Sequence, residues 1–232
     1  MADKLSVLMP FYNEAGTLEE IVSRVLASEP GVPLELVMVD DGSTDGSRRI
    51  AERLAAADDR VRLVAHAENR GKGAGVRTAI AEAAGTIGVI QDADLEYDPA
   101  EYRTLLAPIL AGKADAVYGS RFLAGAPTGA MGTARLANKV LTALSNLVNG
   151  LKLTDMETCL KAVRADLLKS LHLTSDGFGI EPEITARLAQ AHARILEVPI
   201  SYRPRSYEEG KKITCRDGAA ALWHILRFRF KK

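Results

Sequence analysis

Three carboxylates at alternate positions, Asp92, Asp94 and Glu96, follow the apolar run Val89-Ile90. Thr86 to Ile90 is short and β-rich, as a central strand would be, so the acids fall at its carboxyl end and in the loop beyond. That end is where open α/β sheets bind ligands. Carboxylates this close repel one another, and a hard divalent cation such as Mg2+ or Mn2+, which prefers oxygen ligands, relieves the repulsion. The residues by themselves leave two readings open: a metal-diphosphate site, or a solvated acidic loop leading into a helix at Pro99.

Two other stretches carry chemistry of the same kind. Asp40-Asp41-Gly42-Ser43 could accept hydrogen bonds from base N–H groups or ribose hydroxyls, or could form an Asx-type turn capping the next helix. The glycine-rich turn Asn69-Arg70-Gly71-Lys72-Gly73 could bring backbone N–H groups and an ammonium to a phosphate. It lacks the ending of a Walker loop, and Val76 stands where a dinucleotide fingerprint needs its third glycine.

The elements that must position these residues follow from pattern. Leu5 to Met9, stopped by Pro10, Leu34 to Val39, Val61 to Ala65 and Thr86 to Ile90 read as strands. They alternate with helices opened by Thr17, with Glu20 placed as in a capping box, and running from Asp45 to Ala57 and from the glycine turn to Ala84. Strand and helix alternation with short links predicts a parallel, doubly wound sheet whose carboxyl ends share one rim. That rim would gather Tyr12, Glu14, Asp40, Asp41, Lys72, Asp92 and Asp94. A helix from Pro99 to Leu110 and a strand at Ala114 to Tyr118 come next. Residues 123–133 read as a mobile loop, and Thr133 to Val148 as a long helix with Leu136, Val140, Leu141, Leu144, Leu147 and Val148 on its apolar side. Helices near Asp166 to Leu171 and Glu181 to Ala191 and a strand at Arg194 to Ser201 complete the body. In the last helix Leu222, Trp223, Leu226 and Phe230 share a face, as in a basic amphipathic anchor lying on a membrane or a helix docked on the core.

The 232 residues, 47% of them hydrophobic, suffice for one substantial core. Lys+Arg and Asp+Glu are balanced at 30 each, so no basic field argues for nucleic acid as a partner. The beginning of the chain lacks a signal-peptide core, and no apolar run nears the ~20 residues that cross a bilayer, so a cytoplasmic chain is expected, peripheral at most at the inner face of a membrane. Cys159 and Cys215 lack metal-ligand spacing and are expected to be ordinary thiols; His66, His172, His192 and His224 are assigned no chemistry.

The four strand-end motifs in order, Pro10-x-Tyr12-Asn13-Glu14, Asp40-Asp41-Gly42-Ser43-x-Asp45-Gly46, Asn69-x-Gly71-Lys72-Gly73 and Asp92-Ala93-Asp94-Leu95-Glu96, resemble the inverting glycosyltransferases of family 2. Within that family the chain is most similar to the dolichyl-phosphate mannose synthase and polyprenyl-phosphate glycosyltransferase group. The likeness extends to Gly119-Ser120-Arg121, Phe178-x-x-Glu181, Glu197-Val198-Pro199-Ile200, Arg205 and Gly210-Lys211-Lys212. It implies a GT-A fold in one domain, residues 1–122 handling a nucleotide-sugar donor and residues 123–232 the acceptor. Pro10, Tyr12 and Glu14 would line the base, Asp41 would touch base or ribose, and Lys72 would lie near the nucleotide. Asp92 and Asp94 match the family's Asp-x-Asp, which holds the diphosphate through a divalent metal, while Glu96 replaces a frequent glutamine and would join them at the metal. Arg121, Arg135, Arg205, Lys211 and Lys212 match places that grip the acceptor phosphate and the diphosphate.

A polyprenyl phosphate acceptor is already anionic and needs only orientation by cations such as Arg121 and Arg135. A hydroxyl acceptor would need a base, for which Asp155 and Glu157 are the candidates. A membrane-protein partner would supply the lipid contact if the chain itself does not. A sugar nucleotidyltransferase would begin with a glycine-rich loop, against which Pro10-Phe11-Tyr12-Asn13 argues, and the intact acidic trio argues against a non-catalytic binding protein.

Overall fold

The computed structural model describes residues 2–123, 132–205 and 215–230. The first half alternates strand and helix: β1 (Leu5–Phe11), α1 (Leu18–Ala27), β2 (Leu34–Asp40), α2 (Ser47–Ala57), β3 (Val61–Ala65), α3 (Lys72–Glu82) and β4 (Ile87–Ile90). A 3-10 turn at Pro99–Glu101 leads into α4 (Tyr102–Leu110), followed by β5 (Ala116–Ser120) and α5 (Gly132–Asn149). The remainder comprises β6 (Lys161–Arg164), α6 (Ala165–Ser170), α7 (Ile180–Gln190), β7 (Ile195–Pro199) and α8 (Cys215–Phe230). One seven-stranded sheet takes the order β3-β2-β1-β4-β6-β5-β7. The pairs β1–β2, β1–β4, β2–β3 and β5–β7 are parallel, and β6 alone runs against both its neighbours. This is the GT-A arrangement that the resemblance implies. β1, β2 and β4 are almost wholly buried, which explains why they read as continuous apolar runs rather than alternating ones.

Several expectations need correction. Pro10 does not stop β1; it pairs in register with Val39 of β2, while the pairing with β4 ends at Leu8, so the missing N–H falls where β1 has only one neighbour. Thr17 makes no side-chain cap of α1 and forms no capping box; its hydroxyl donates instead to the Ala93 carbonyl at 2.7 Å, tying the start of α1 to the acidic loop. β6 is a strand that the apolar pattern hides, because it is four residues long and opens on the charged Lys161.

The stripe assigned to α5 splits. Leu141 is buried and Leu144 and Val148 pack partly on the core, whereas Leu136 (64% exposed), Val140 and Leu147 (82% exposed) face outward. On α8 the face that docks is Ala221, Ile225 and Phe228, packed beside α5 and α7, and Leu222, Trp223 and Leu226 are left exposed. Residues 124–131 of the expected loop lie outside the described residues.

Candidate active site

The rim at the carboxyl ends of the strands is assembled from loops that bond to one another. After β1, the Asn13 backbone N–H donates to Ser43 Oγ at 3.0 Å, Glu14 N–H to Ser47 Oγ at 2.8 Å and Ala15 N–H to Asp45 at 3.1 Å. Asn13 itself sits at φ +52, a left-handed conformation that Asn tolerates. Tyr12 is half-buried at this junction, and Pro10 is buried, its ring lying under Gly75 of α3.

The two aspartates after β2 have structural work. Asp40, fully buried, accepts from Ser43 N–H at 2.9 Å and pairs with Arg48, which is the Asx-turn reading for that residue. Asp41 accepts from the N–H groups of Arg70 (3.0 Å) and Gly71 (2.7 Å) and from His66 Nδ1 at 2.7 Å, so its carboxylate fixes the glycine turn. His66, to which the sequence assigned no chemistry, is a brace in this network, its Nε2 facing Thr78 at 2.9 Å. Gly42 needs to be glycine twice over: its φ is +76, and a Cβ there would lie 2.5 Å from the Glu68 backbone. Gly42→Ala is expected to cost at least ~2 kcal/mol, from strain and a displaced backbone, measured by urea denaturation.

The glycine turn is not an open phosphate cradle. A Cβ on Gly73 would lie 2.3 Å from the Ser175 carbonyl oxygen, and Ala74 N–H donates to Asp176 O, so the turn is packed against the chain entering α7. Lys72 points beneath the acidic loop, 2.9 Å from Asp92, 3.0 Å from Cys159 Sγ and 3.4 Å from Glu181. Burial alone would lower its pKa, but the charges of Asp92 and Glu181, with a hydrogen bond to Cys159 Sγ, raise it well above the ordinary value, so it stays an ammonium. For Asp92, burial pulls upward and Lys72 wins, holding the carboxyl below the usual range. Behind them Lys161, fully buried, pairs with Glu181 and donates to the Thr158 carbonyl.

Asp94 and Glu96 share another cation. Arg205 reaches Asp94 at 2.8 Å, Glu14 at 3.2 Å and Glu96 at 3.8 Å. Glu96 also accepts from Tyr202 OH at 2.8 Å and from Arg205 N–H at 2.9 Å, and its carbonyl accepts from Arg203 N–H. Burial, with the charges of Asp92 and Glu96 added, pushes the Asp94 carboxyl up to about 7 in spite of Arg205. The sequence reading had Arg205 but not this contact, which joins residues 111 positions apart.

Arg121, directly after β5, is clamped by the fully buried Asp155. Its Nε and Nη2 each donate at 2.7 Å and its backbone N–H at 3.0 Å, and Asn138 Nδ2 reaches the same carboxylate at 3.2 Å. The guanidinium lies 5.0 Å from the Tyr202 ring and 5.7 Å from the Phe122 ring, with Arg135 at 5.8 Å from Phe122. Arg135 Nε is buried and finds no hydrogen-bond partner among the described residues. It lines a groove of about 370 Å3 together with Phe122, Lys139, Asn146, Leu153 and Thr154. Glu157 is half-buried, and burial above all pushes its carboxyl up to about 7; its Oε1 has no hydrogen-bond partner among the described residues. Lys211 and Lys212 lie outside the described residues.

The model of a family described as Glycosyl transferase family 2 matches residues 6–171. The chain belongs to that family. Glycosyltransferase chemistry, inferred from the ordered motifs, therefore stands. An undecaprenyl-phosphate mannosyltransferase from Micrococcus luteus is 31% identical, covering 97% of this chain and 98% of its own length, which bears out the likeness to the polyprenyl-phosphate group. Among solved structures, the glucosyl-3-phosphoglycerate synthase of Mycobacterium tuberculosis with Mn2+, UDP and phosphoglyceric acid superposes with TM-score 0.73 at 21% identity. It covers 99% of this chain and 80% of that one, and shows the shared GT-A fold. Mannosyltransferase PcManGT from Pyrobaculum calidifontis, in complex with GDP-Man and Mn2+, gives 0.62 at 25% identity, over 86% of this chain and 55% of that one.

Proposed function

We propose that this family 2 enzyme transfers a sugar, with inversion, from a UDP- or GDP-sugar to a polyprenyl phosphate of the dolichyl or undecaprenyl kind, using Mg2+ or Mn2+. Residues 1–122 serve the donor and residues 123–232 the acceptor. The carrying observation is that one rim sets an acidic donor loop beside a cationic acceptor wall, with Tyr202 touching both: its hydroxyl bonds Glu96 and its ring lies under Arg121. The resemblance to the undecaprenyl-phosphate enzyme supports the acceptor, and that to the mannosyltransferase with GDP-Man and Mn2+ supports the donor and the metal.

The residues fit a hard divalent ion. The donors are carboxylate oxygens, and a cationic group, Arg205, already lies among them. Among the described residues no three acid, histidine or cysteine side chains form a protein-only cage, as suits an ion held by one or two carboxylates and completed by substrate phosphates. Asp94 and Asp92 would hold it, with Glu96 beside them, and the ion would neutralise charge on the departing diphosphate. Lys72 fixes Asp92 by charge and hydrogen bonding. Arg121, held rigid by Asp155, and Arg135, in the groove, orient the acceptor phosphate, which is its own nucleophile and needs no base.

No helix among the described residues is long and apolar enough to cross a membrane. The outward Leu136, Val140 and Leu147 of α5 and Leu222, Trp223 and Leu226 of α8 support peripheral contact with the inner membrane face, or with a membrane-protein partner, where the lipid acceptor resides.

A second reading, transfer to a hydroxyl of a glycan or lipid, is favoured by Glu157, whose carboxyl at about 7 suits a base. One assay separates them: UDP- and GDP-sugars with Mn2+ or Mg2+, with and without polyprenyl phosphate. Product on the lipid phosphate, retained within about tenfold by Glu157→Gln, is the expected result. Transfer only to hydroxyl acceptors, rising with pH through about 7 and lost by ~10²-fold or more in Glu157→Gln, would establish the second reading. Failure of every nucleotide sugar to bind sinks both.

A further inference from the structure

We propose that Arg205 is a built-in counter-cation of the acidic loop, which a divalent ion must displace, so that the protein competes with its own metal. This rests on the metal reading of Asp92 and Asp94 given above.

The geometry is specific to a stand-in cation. One guanidinium lies within 4 Å of three separate carboxylates, those of Glu14, Asp94 and Glu96, which come from two different strand-end loops. It is held there by more than its charge. The Arg203 N–H donates to the Glu96 backbone carbonyl, and the Arg205 N–H and Tyr202 OH donate to its carboxylate, so the chain leading to Arg205 is fastened onto the acidic loop. Glu96, which the resemblance would place at the metal, is in this structure the anchor of that segment. Its carboxylate has both oxygens taken, Oε2 by the tyrosine hydroxyl and Oε1 by the Arg205 amide. Asp92 is neutralised separately by Lys72, so the carboxylate that Arg205 guards most closely is Asp94.

A divalent ion and a guanidinium cannot both be close to Asp94 without strong mutual repulsion. Loading the ion must therefore break the Arg205–Asp94 pair, and the cost of breaking it weakens metal binding by the same factor. Guanidinium is a good occupant for such a site, since it forks across carboxylates, is always charged and is more weakly hydrated than an ammonium. The consequence is a protein that offsets part of the loop's negative charge without metal, and that releases the guanidinium from Asp94 only after metal arrives.

The test measures Mn2+ alone, without nucleotide, by the electron-spin resonance of free Mn2+, on the wild-type chain, Arg205→Gln, Arg205→Lys and the double variant Arg205→Gln/Asp94→Asn. Arg205→Gln is expected to bind Mn2+ about tenfold or more tightly than wild type, Arg205→Lys by an intermediate factor, and the gain should vanish in the double variant. In thermal denaturation, saturating Mn2+ should raise the Tm of Arg205→Gln by more than that of wild type. Should Arg205→Gln fail to fold, Arg205→Lys carries the same comparison. Equal or weaker Mn2+ binding by the Arg205 variants overturns this inference and leaves the metal reading standing, whereas no Mn2+ uptake by any of the proteins overturns both.

Discussion

Asp94→Asn is expected to lower sugar transfer by ~10² to 10³-fold or more, with little change in stability, the magnitude that removal of one charge-stabilising group commonly produces. The substitution keeps the shape. The amide oxygen can keep one of the two hydrogen bonds that Asp94 accepts, from Arg205 Nη2 on Oδ2 or from the Glu96 backbone N–H on Oδ1, and losing the other costs about 1 kcal/mol. What disappears is the negative charge, and with it the principal attraction for a divalent ion beside the diphosphate. The same change at Asp92 would be harder to interpret, because Lys72, enclosed and paired with it, would lose its main counter-charge. The check is a pair of measurements on Asp94→Asn: transfer rate under saturating donor, and Mn2+ affinity. Retention of full metal-dependent activity would remove Asp94 from the site.

Asp155→Ala should have the larger effect on the fold, a loss of ~3–5 kcal/mol, since it leaves the Arg121 guanidinium enclosed without a counter-charge. The carboxylate accepts from one edge of the guanidinium, Nε and Nη2, from the Arg121 backbone and from Asn138, so its removal orphans several donors at once. Replacing the pair together, Arg121→Met with Asp155→Leu, should restore much of the stability, because apolar side chains can fill a buried ion-pair site. Transfer should stay lost in the restored double variant, since the acceptor cation is gone. Chemical denaturation and a single-turnover assay on the two proteins distinguish these outcomes. A double variant that regains stability and activity together would show that Arg121 serves only the fold.

The first half of the chain was legible because its motifs follow strands, and strand-turn-helix units with short connections leave little choice of topology. Asp92 and Asp94 could be placed on the rim from local pattern alone. Arg205 could be named but not located, since its partners lie up to 191 residues away and no periodicity encodes that separation. Thr17 illustrates a competing contact: its position suits a cap, yet the nearby Ala93 carbonyl takes its hydroxyl. α8 carries apolar residues on two faces, Ala221-Ile225-Phe228 and Leu222-Trp223-Leu226, and only the presence of α5 and α7 decides which is buried. Lys161 misleads for the opposite reason, a charged side chain being fully buried because Glu181 and the Thr158 carbonyl receive it.

The reversed strand β6 has an architectural consequence. Running against β4 and β5, it presents its first residue, Lys161, at the rim where its neighbours end. The segment feeding it, which carries Asp155, Glu157 and Cys159, thus descends into the site from α5 without a crossover helix having to pack on the sheet behind it. The segment is fastened as it descends, Asp155 to Arg121, the Cys159 N–H to Tyr97 OH and the Thr158 carbonyl to Lys161, so the reversal of one strand carries three anchoring contacts to the rim in a single short stretch of chain.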